Sequence, residues 1–231
     1  MRSFFIQDAI LDLETLKLPE EESKHACKVL RMREGHQLSI VNGKGDELIA
    51  EIIDADNKAC EVKKVSFKHT PPNDFQIHIA IAPTKMNDRF EWFLEKATEL
   101  GIHKITPLLC SNSERKKIKL ERYQKVIVSA MKQSKRLYLP QLDDLTSLDN
   151  FIKSNPIGVL AHCYEGEKNV LSDSLKKKNC PILIGPEGDF TNLEVEKLIQ
   201  SGYQPITLGE TRLRTETAGI YACAISKFLF E

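Results

Sequence analysis

The chain reads as a two-part α/β protein, a small β-barrel followed by a mainly parallel sheet with helices on its faces. Three observations predict it. Up to about residue 68, short apolar runs are separated by turn residues. From residue 74 onward, runs with strand character alternate with runs of helical periodicity, the grammar of βαβ units. Between the two regions lies His69-Thr70-Pro71-Pro72-Asn73, whose prolines continue neither a ladder nor a helix, so the domains are placed at 1–70 and 74–231.

In the first domain, strands are predicted over 4–6, 37–41, 48–53 and 59–65. Asn42-Gly43-Lys44-Gly45 supplies the positive-φ positions of a tight hairpin, and Asp54-Ala55-Asp56-Asn57 forms a second turn. Pro19 followed by Glu20-Glu21-Glu22 opens a short helix reaching residue 30, because proline and acidic residues suit a helix N-terminus. In the second domain a strand over 75–82 precedes a helix over 88–100. That helix carries Phe90, Phe93, Leu94, Ala97 and Leu100 on one face and ends at Gly101. A strand over 102–109, a helix over about 120–136 and a strand over 157–163 follow. Two strand–loop–helix units close the chain: a strand over 180–184 and a helix opened by the capping pair Thr191 and Glu194, ending near Gly202, then a strand over 206–208 and a helix over 218–230.

Composition bounds the functional class. At 231 residues and 41% hydrophobic content the chain has enough apolar material for two cores, and no apolar stretch approaches the ~20 residues of a transmembrane helix. Membrane residence is therefore not expected. Lys+Arg and Asp+Glu are equal at 33 each, so a nucleic-acid partner would have to be met by local basic clusters. The six cysteines have no Cys-x-x-Cys pairing and read as buried free thiols. With no signal-peptide pattern and no lipidation motif, they point to the cytoplasm.

The chemistry is expected in two glycine-containing loops, Ile184-Gly185-Pro186-Glu187-Gly188-Asp189-Phe190 and Leu208-Gly209-Glu210-Thr211-Arg212-Leu213-Arg214-Thr215-Glu216-Thr217-Ala218. Each follows a strand at its carboxyl end, where open α/β sheets bind ligands. The dinucleotide fingerprint Gly-x-Gly-x-x-Gly and the phosphate loop Gly-x-x-x-x-Gly-Lys-Ser/Thr are both absent, which argues against ordinary Rossmann cofactors and NTP hydrolysis. An acidic Gly-Pro-Glu-Gly loop is a poor cradle for a polyphosphate, since its carboxylate would oppose the ligand's charge. A neutral or cationic small molecule fits better.

These two loops closely resemble the C-terminal motifs of the SPOUT methyltransferases, the trefoil-knotted class that binds S-adenosylmethionine, and specifically the RsmE family, which methylates N3 of a uridine in small-subunit ribosomal RNA. The resemblance covers nearly the whole chain. His25, Val29-Leu30-Arg31, Gly35, Asn42-Gly43 and Gly45 resemble that family's PUA-like RNA-binding barrel. Glu95-Lys96-Ala97-Thr98-Glu99-Leu100-Gly101, Pro107, Ser113-Glu114-Arg115, Gln133-Ser134-Lys135-Arg136 and Pro140 follow in the family's order. The chain departs from the pattern at Asp189, where the family often has glycine, and at Asn112-Ser113. The resemblance implies a SPOUT-type sheet with a deep trefoil knot formed by threading the chain after Gly202, and a homodimer whose sites are completed by the partner. It also implies cofactor contacts at Leu160, Gly185, Gly188, Leu208, Gly209, Leu213 and Thr217.

Methyl transfer to uridine N3 requires loss of the imide proton as well as in-line placement of the donor. Arg214 and Arg136 are candidates for the positive group that favours the uridine anion, and Glu216 or Glu187 for the proton acceptor. The competing reading of Glu216 is a helix-start interaction. No cysteine stands in a reactive context, which disfavours covalent attack on the base. Candidate RNA contacts are Arg31 with Arg33, Lys85 with Arg89, and Arg115 and Lys116 with Lys117, Lys119 and Arg122; the competing reading of each cluster is a solvated face. His25, His69, His78 and His103 lack metal-ligand spacing, so no metal is expected. Trp92 reads as core or dimer interface. The expected partner is small-subunit ribosomal RNA in the assembled 30S particle. Two alternatives stay open: a non-catalytic RNA-binding assembly factor, and a SPOUT enzyme acting on another RNA.

Overall fold

A computed structural model of the chain describes residues 1–7, 9–175 and 180–230. The chain divides into two compact units, 1–73 together with 131–139, and 74–130 together with 140–231.

The first unit is built on strands β1 (Ser3–Phe5), β2 (Thr15–Lys17), β3 (Gln37–Val41), β4 (Asp46–Asp54) and β5 (Glu61–His69), with helix α1 (Glu20–Lys24) between β2 and β3. They form an open half-barrel in the order β1-β3-β4-β5-β2, with β1 and β3 parallel and the other neighbours antiparallel. The period-2 pattern of β4 turns Leu48, Ala50 and Ile52 inward against Phe4, Leu38, Ile40 and Val62. Register shifts at Ile49/Ala50 and Ile52/Asp54 bend this strand, as bulges do, so the sheet curls around one core. Helix α1 continues into a wider π-helical turn over His25–Val29, which buries Ala26 and Cys27. Strand β5 runs to His69, further than its apolar alternation indicates, because β4 supplies pairing partners that far.

Residues 131–139 pack within this unit, an arrangement the linear pattern does not reveal. Gly45 N donates to Leu137 O at 3.0 Å, Leu139 N to Gly43 O at 3.0 Å, and Tyr138 Oη to Thr70 O at 2.7 Å. Gly45 has φ +95°, and a Cβ there would lie 2.4 Å from both Thr70 O and Tyr138 Oη, so the hairpin glycine is required twice over.

The second unit contains β6 (His78–Ile81), α2 (Asn87–Leu100), β7 (Lys104–Leu109), α3 (Leu120–Gln133, whose last residues are grouped with the first unit), β8 (Gln141–Leu142), β9 (Thr146–Ser147), α4 (Leu148–Ser154), β10 (Gly158–Ala161), β11 (Asn169–Val170), α5 (Leu171–Ser174), β12 (Ile182–Ile184), α6 (Asn192–Gln200), β13 (Tyr203–Thr207) and α7 (Thr215–Phe230). Its strands pair in parallel in the order β11-β13-β10-β12-β6-β7-β8, with β9 also on β7. The central β6 and β12 are buried at every residue, as expected for parallel strands covered on both faces. The short strands β2, β8, β9 and β11 and helices α4 and α5 were not legible in the sequence, being too brief to establish a period.

Thr191 and Glu194 do form the reciprocal capping box of α6: Thr191 Oγ1 accepts from Glu194 N at 3.2 Å, and Thr191 N donates to Glu194 Oε2 at 2.8 Å. Gly101 ends α2 in the left-handed conformation at φ +98°. Trp92 is 46% exposed, on the side of α2 away from the buried Phe90, Phe93, Leu94 and Ala97, so the core reading of this residue is incorrect.

Candidate active site

Strands β13, β10 and β12 are neighbours and parallel, so their carboxyl ends lie at one edge of the sheet. The loops after Ala161, Ile184 and Thr207 therefore converge, and they enclose a cavity of about 700 Å³. Two of these are the glycine loops singled out in the sequence. The third, after β10, contributes His162, Cys163 and Lys168. Its only sequence signal was an abrupt change from apolar strand to His-Cys-Tyr-Glu-Gly.

Two glycines shape the cavity walls. Gly185 lies so close to Phe190 that a Cβ would sit 3.0 Å from its ring and 3.2 Å from its backbone N, and Gly209 has φ +122°. Thr215 Oγ1 donates to Gly185 O at 3.2 Å and ties the start of α7 to the first glycine loop. Asp189 adopts φ +63°, a conformation that favours glycine and that a short polar residue tolerates. Its carboxylate compensates with two bonds, accepting from Phe190 N at 2.8 Å and from Cys163 N at 2.7 Å, the second of which pins the loop after β10 to the Gly-Pro-Glu-Gly loop. Asn112, the other departure from the family pattern, supports the same loop: its Nδ2 donates to Gly188 O at 3.2 Å and to Asp189 O at 3.0 Å.

Of the residues named for the cofactor, Gly185, Leu208, Gly209 and Leu213 line the cavity. Leu160 is fully buried in the core, and the lining from its strand comes instead from Ala161 and the two residues beyond. Gly188 faces Asn112, and Thr217 is exposed one residue past the buried pair Thr215 and Glu216; neither lines the cavity. Of the residues named for catalysis, Arg214, Glu187 and Glu216 line it, and Arg136 does not, being grouped with the first unit. Glu187 Oε2 accepts from Lys85 N at 3.2 Å. Glu216 is 5% exposed and stands 3.9 Å from Arg89 Nε, so Arg89, expected on RNA, is a wall residue here.

The other basic candidates divide. Arg31, with φ +55°, and Arg33 are exposed in the first unit. Arg115 is committed to structure, since its guanidinium donates to Thr84 O at 2.9 Å and to Lys85 O at 2.6 Å. Lys85 pairs with Glu114 at 2.8 Å, which raises its pKa. Lys116 and Lys117 border the shallow depression of about 370 Å³ beside that pair.

Two titratable side chains of the third loop were not named for the site, and Cys163, read as a buried thiol, is exposed. Burial, reinforced by Lys168, lowers the pKa of His162, so its imidazole is neutral near pH 7. Partial desolvation and the nearby Asp189 carboxylate raise the pKa of the Cys163 thiol, which keeps it protonated and a poor nucleophile. Among the described residues no group of His, Cys, Asp and Glu is arranged to hold a metal ion, and no helix is long and apolar enough to cross a membrane.

Residues 71–227 match the family model of an RNA methyltransferase domain, and residues 18–65 that of an RNA methyltransferase PUA domain. The chain is 30% identical to ribosomal RNA small subunit methyltransferase E of Rickettsia conorii, over 97% of this chain and 94% of that protein. The chain belongs to the ribosomal RNA small subunit methyltransferase E family. The Bacillus subtilis member is 29% identical over 100% of this chain and 98% of its own length. A Porphyromonas gingivalis protein named a probable rRNA-methyltransferase has the same fold, with 36% identity, a TM-score of 0.88 and coverage of 100% and 98% of the two chains. A candidate methyltransferase of Legionella pneumophila, solved with its bound cofactor SAM, superposes with a TM-score of 0.83 at 28% identity, covering 96% of this chain and 95% of its own.

Proposed function

We propose that the protein is an S-adenosylmethionine-dependent methyltransferase of ribosomal RNA that methylates N3 of a specific uridine in the 16S RNA of the small subunit. The observation that carries this reading is the cavity formed where three loops meet at the carboxyl ends of β13, β10 and β12, in a chain that aligns with ribosomal RNA methyltransferases over nearly its full length. The residues present suit the cofactor. The cavity has two glycines in its wall, Gly185 and Gly209, and an unpartnered buried carboxylate oxygen on Glu216. When bound, S-adenosylmethionine supplies an electrophilic methyl group on a sulfonium. The residues to hold it are Gly185, Leu208, Gly209 and Leu213, together with Ala161, His162 and Cys163.

The remaining chemistry belongs to the chain. Arg214 is exposed at the cavity and, placed beside a uridine carbonyl oxygen, favours the base with its N3 proton lost. Glu187, also exposed there, takes up that proton. Arg31 and Arg33 of the half-barrel track RNA phosphate, and the target uridine is drawn out of its stack. The protein acts in the cytoplasm on the assembled 30S subunit. It works as a homodimer through the aromatic residues left exposed on α2 and α7, Trp92 at 46% and Tyr221 at 45%, with the chain threaded as in the trefoil-knotted class. Sedimentation at micromolar concentration should give twice the 26.3 kDa of one chain, and a monomer there would refute the dimer.

The deciding experiment is transfer of labelled methyl groups to small ribosomal subunits from cells lacking this gene, with the product nucleoside identified by mass spectrometry. N3-methyluridine in 16S RNA is the expected product. Cofactor binding with no transfer to these subunits would point to another RNA, and RNA binding without cofactor binding would leave a non-catalytic assembly factor.

A further inference from the structure

Glu216 is the second residue of α7, 5% exposed, and yet part of the cavity wall. Its Oε1 is 3.9 Å from Arg89 Nε, too far for a hydrogen bond, and its Oε2 is solvent-inaccessible with no hydrogen-bond partner among the described residues. Burying a carboxylate oxygen unpaired is costly, so a site that retains one gains when a positive group arrives. The start of a helix favours a carboxylate electrostatically, but it leaves this oxygen unsatisfied. The other acids of the wall are differently placed: both oxygens of Asp189 already accept backbone N–H groups, Glu187 accepts from Lys85 N, and Glu210 is exposed to solvent.

We propose that Glu216 is the counter-charge by which the cavity selects the cationic, methyl-bearing cofactor over the neutral thioether left after transfer. The proposal rests on the cofactor reading above. A sulfonium carries a full positive charge and no N–H or O–H donor, so it is the charge that Coulomb attraction reads in telling it from a neutral thioether. A buried carboxylate without hydrogen bonds is suited to that, and Arg89 at 3.9 Å tempers its charge without neutralising it at contact. Loss of the methyl group removes the charge and with it the attraction, which promotes exchange of spent cofactor for fresh. Glu216 is then a specificity-determining residue, distinct from the proton acceptor.

The test is calorimetric binding of S-adenosylmethionine, of S-adenosylhomocysteine, and of an analogue with an ammonium in place of the sulfonium, to the full chain and to Glu216→Gln, which preserves size and removes charge. The expected result is that the preference for each cationic ligand over the thioether falls about tenfold in Glu216→Gln. If all three ligands weaken equally, Glu216 meets the ammonium of the methionine tail that they share, and the proposal is overturned. Unchanged binding of all three overturns it as well. If Glu216→Gln does not fold, the wild-type protein decides alone: it must bind both cationic ligands more tightly than the thioether, and parity refutes the proposal. Failure of the wild type to bind any of the three would instead refute the cofactor reading beneath it.

Discussion

His78, on β6, and Arg214, in the loop before α7, show how differently two polar residues of one unit are used. His78 is buried on β6, its Nε2 bonded to Thr106 Oγ1 at 2.8 Å, and Thr106 in turn donates to Asp143 Oδ2 at 2.6 Å. Burial lowers its pKa to about 4 from an ordinary 6.5, with Lys104 adding to the shift and Asp143 opposing it. Because the folded-state pKa is depressed, the unfolded chain binds the proton more readily between those values. The stabilisation is present above pH 6.5 and is lost as the pH falls towards 4, by roughly 3 kcal/mol in all. Denaturant melts at pH 7 and pH 4.5 should show this loss in the wild type and a smaller one in His78→Gln; equal losses would remove His78 as the cause. Arg214 is exposed at the cavity and belongs to no core cluster. Arg214→Ala should therefore keep the melting temperature while lowering methyl transfer at least about tenfold, equivalent to ~1.4 kcal/mol of barrier. Wild-type turnover in that variant would exclude Arg214 from the mechanism.

At the scale of elements, the site depends on where α7 begins and how closely it can pack. A Cβ at Gly219 would lie 2.7 Å from the Phe93 ring and 2.8 Å from Ile81 Cδ1, so the absence of a side chain lets α7 approach α2 and β6. Thr215 and Glu216, four and three residues earlier on the same helix, are thereby held at the cavity wall. Gly219→Ala gains helix propensity of about 1 kcal/mol but forces apart fully buried neighbours, an overpacking cost of ~1–3 kcal/mol. The expected outcome is a net loss of stability in denaturant melts together with weakened cofactor binding. A variant more stable than wild type would show that the contact yields easily. The capping box of α6 was readable because both partners lie within one turn. The tie between Asp189 and Cys163 was not, because it joins residues 26 positions apart, in loops that follow strands which are neighbours only in the folded sheet.

At the scale of the whole molecule, the half-barrel is not a segment of continuous chain. Residues 131–139 complete it through Gly43, Gly45 and Thr70, and Lys132 Nζ pairs with Glu22 Oε1 at 2.7 Å. A fragment ending at Asn73 should consequently expose the Gly45 amide, which in the full chain donates to Leu137 O at 3.0 Å. Hydrogen exchange read at Gly45 should be protected in the full chain and fast in the fragment. Equal protection in both would show that residues 131–139 contribute nothing to the half-barrel. RNA binding by that fragment should likewise be weaker than by the full chain.

By itself the sequence determined the features that depend on neighbours along the chain. These were the alternation of strands and helices after residue 74, the caps at Thr191 and Gly101, and the two glycine loops whose motifs resemble one methyltransferase family. Only the tertiary structure decided which strand ends meet, and with them the third cavity wall at His162 and Cys163. It also decided the burial of Leu160, the grouping of Arg136 with the half-barrel, and the burial of the Glu216 carboxylate near Arg89. The physical reason is that local propensity and periodicity act over a few residues. Strand order in a parallel sheet, and hence what shares a cavity, is fixed by packing between segments far apart in the chain.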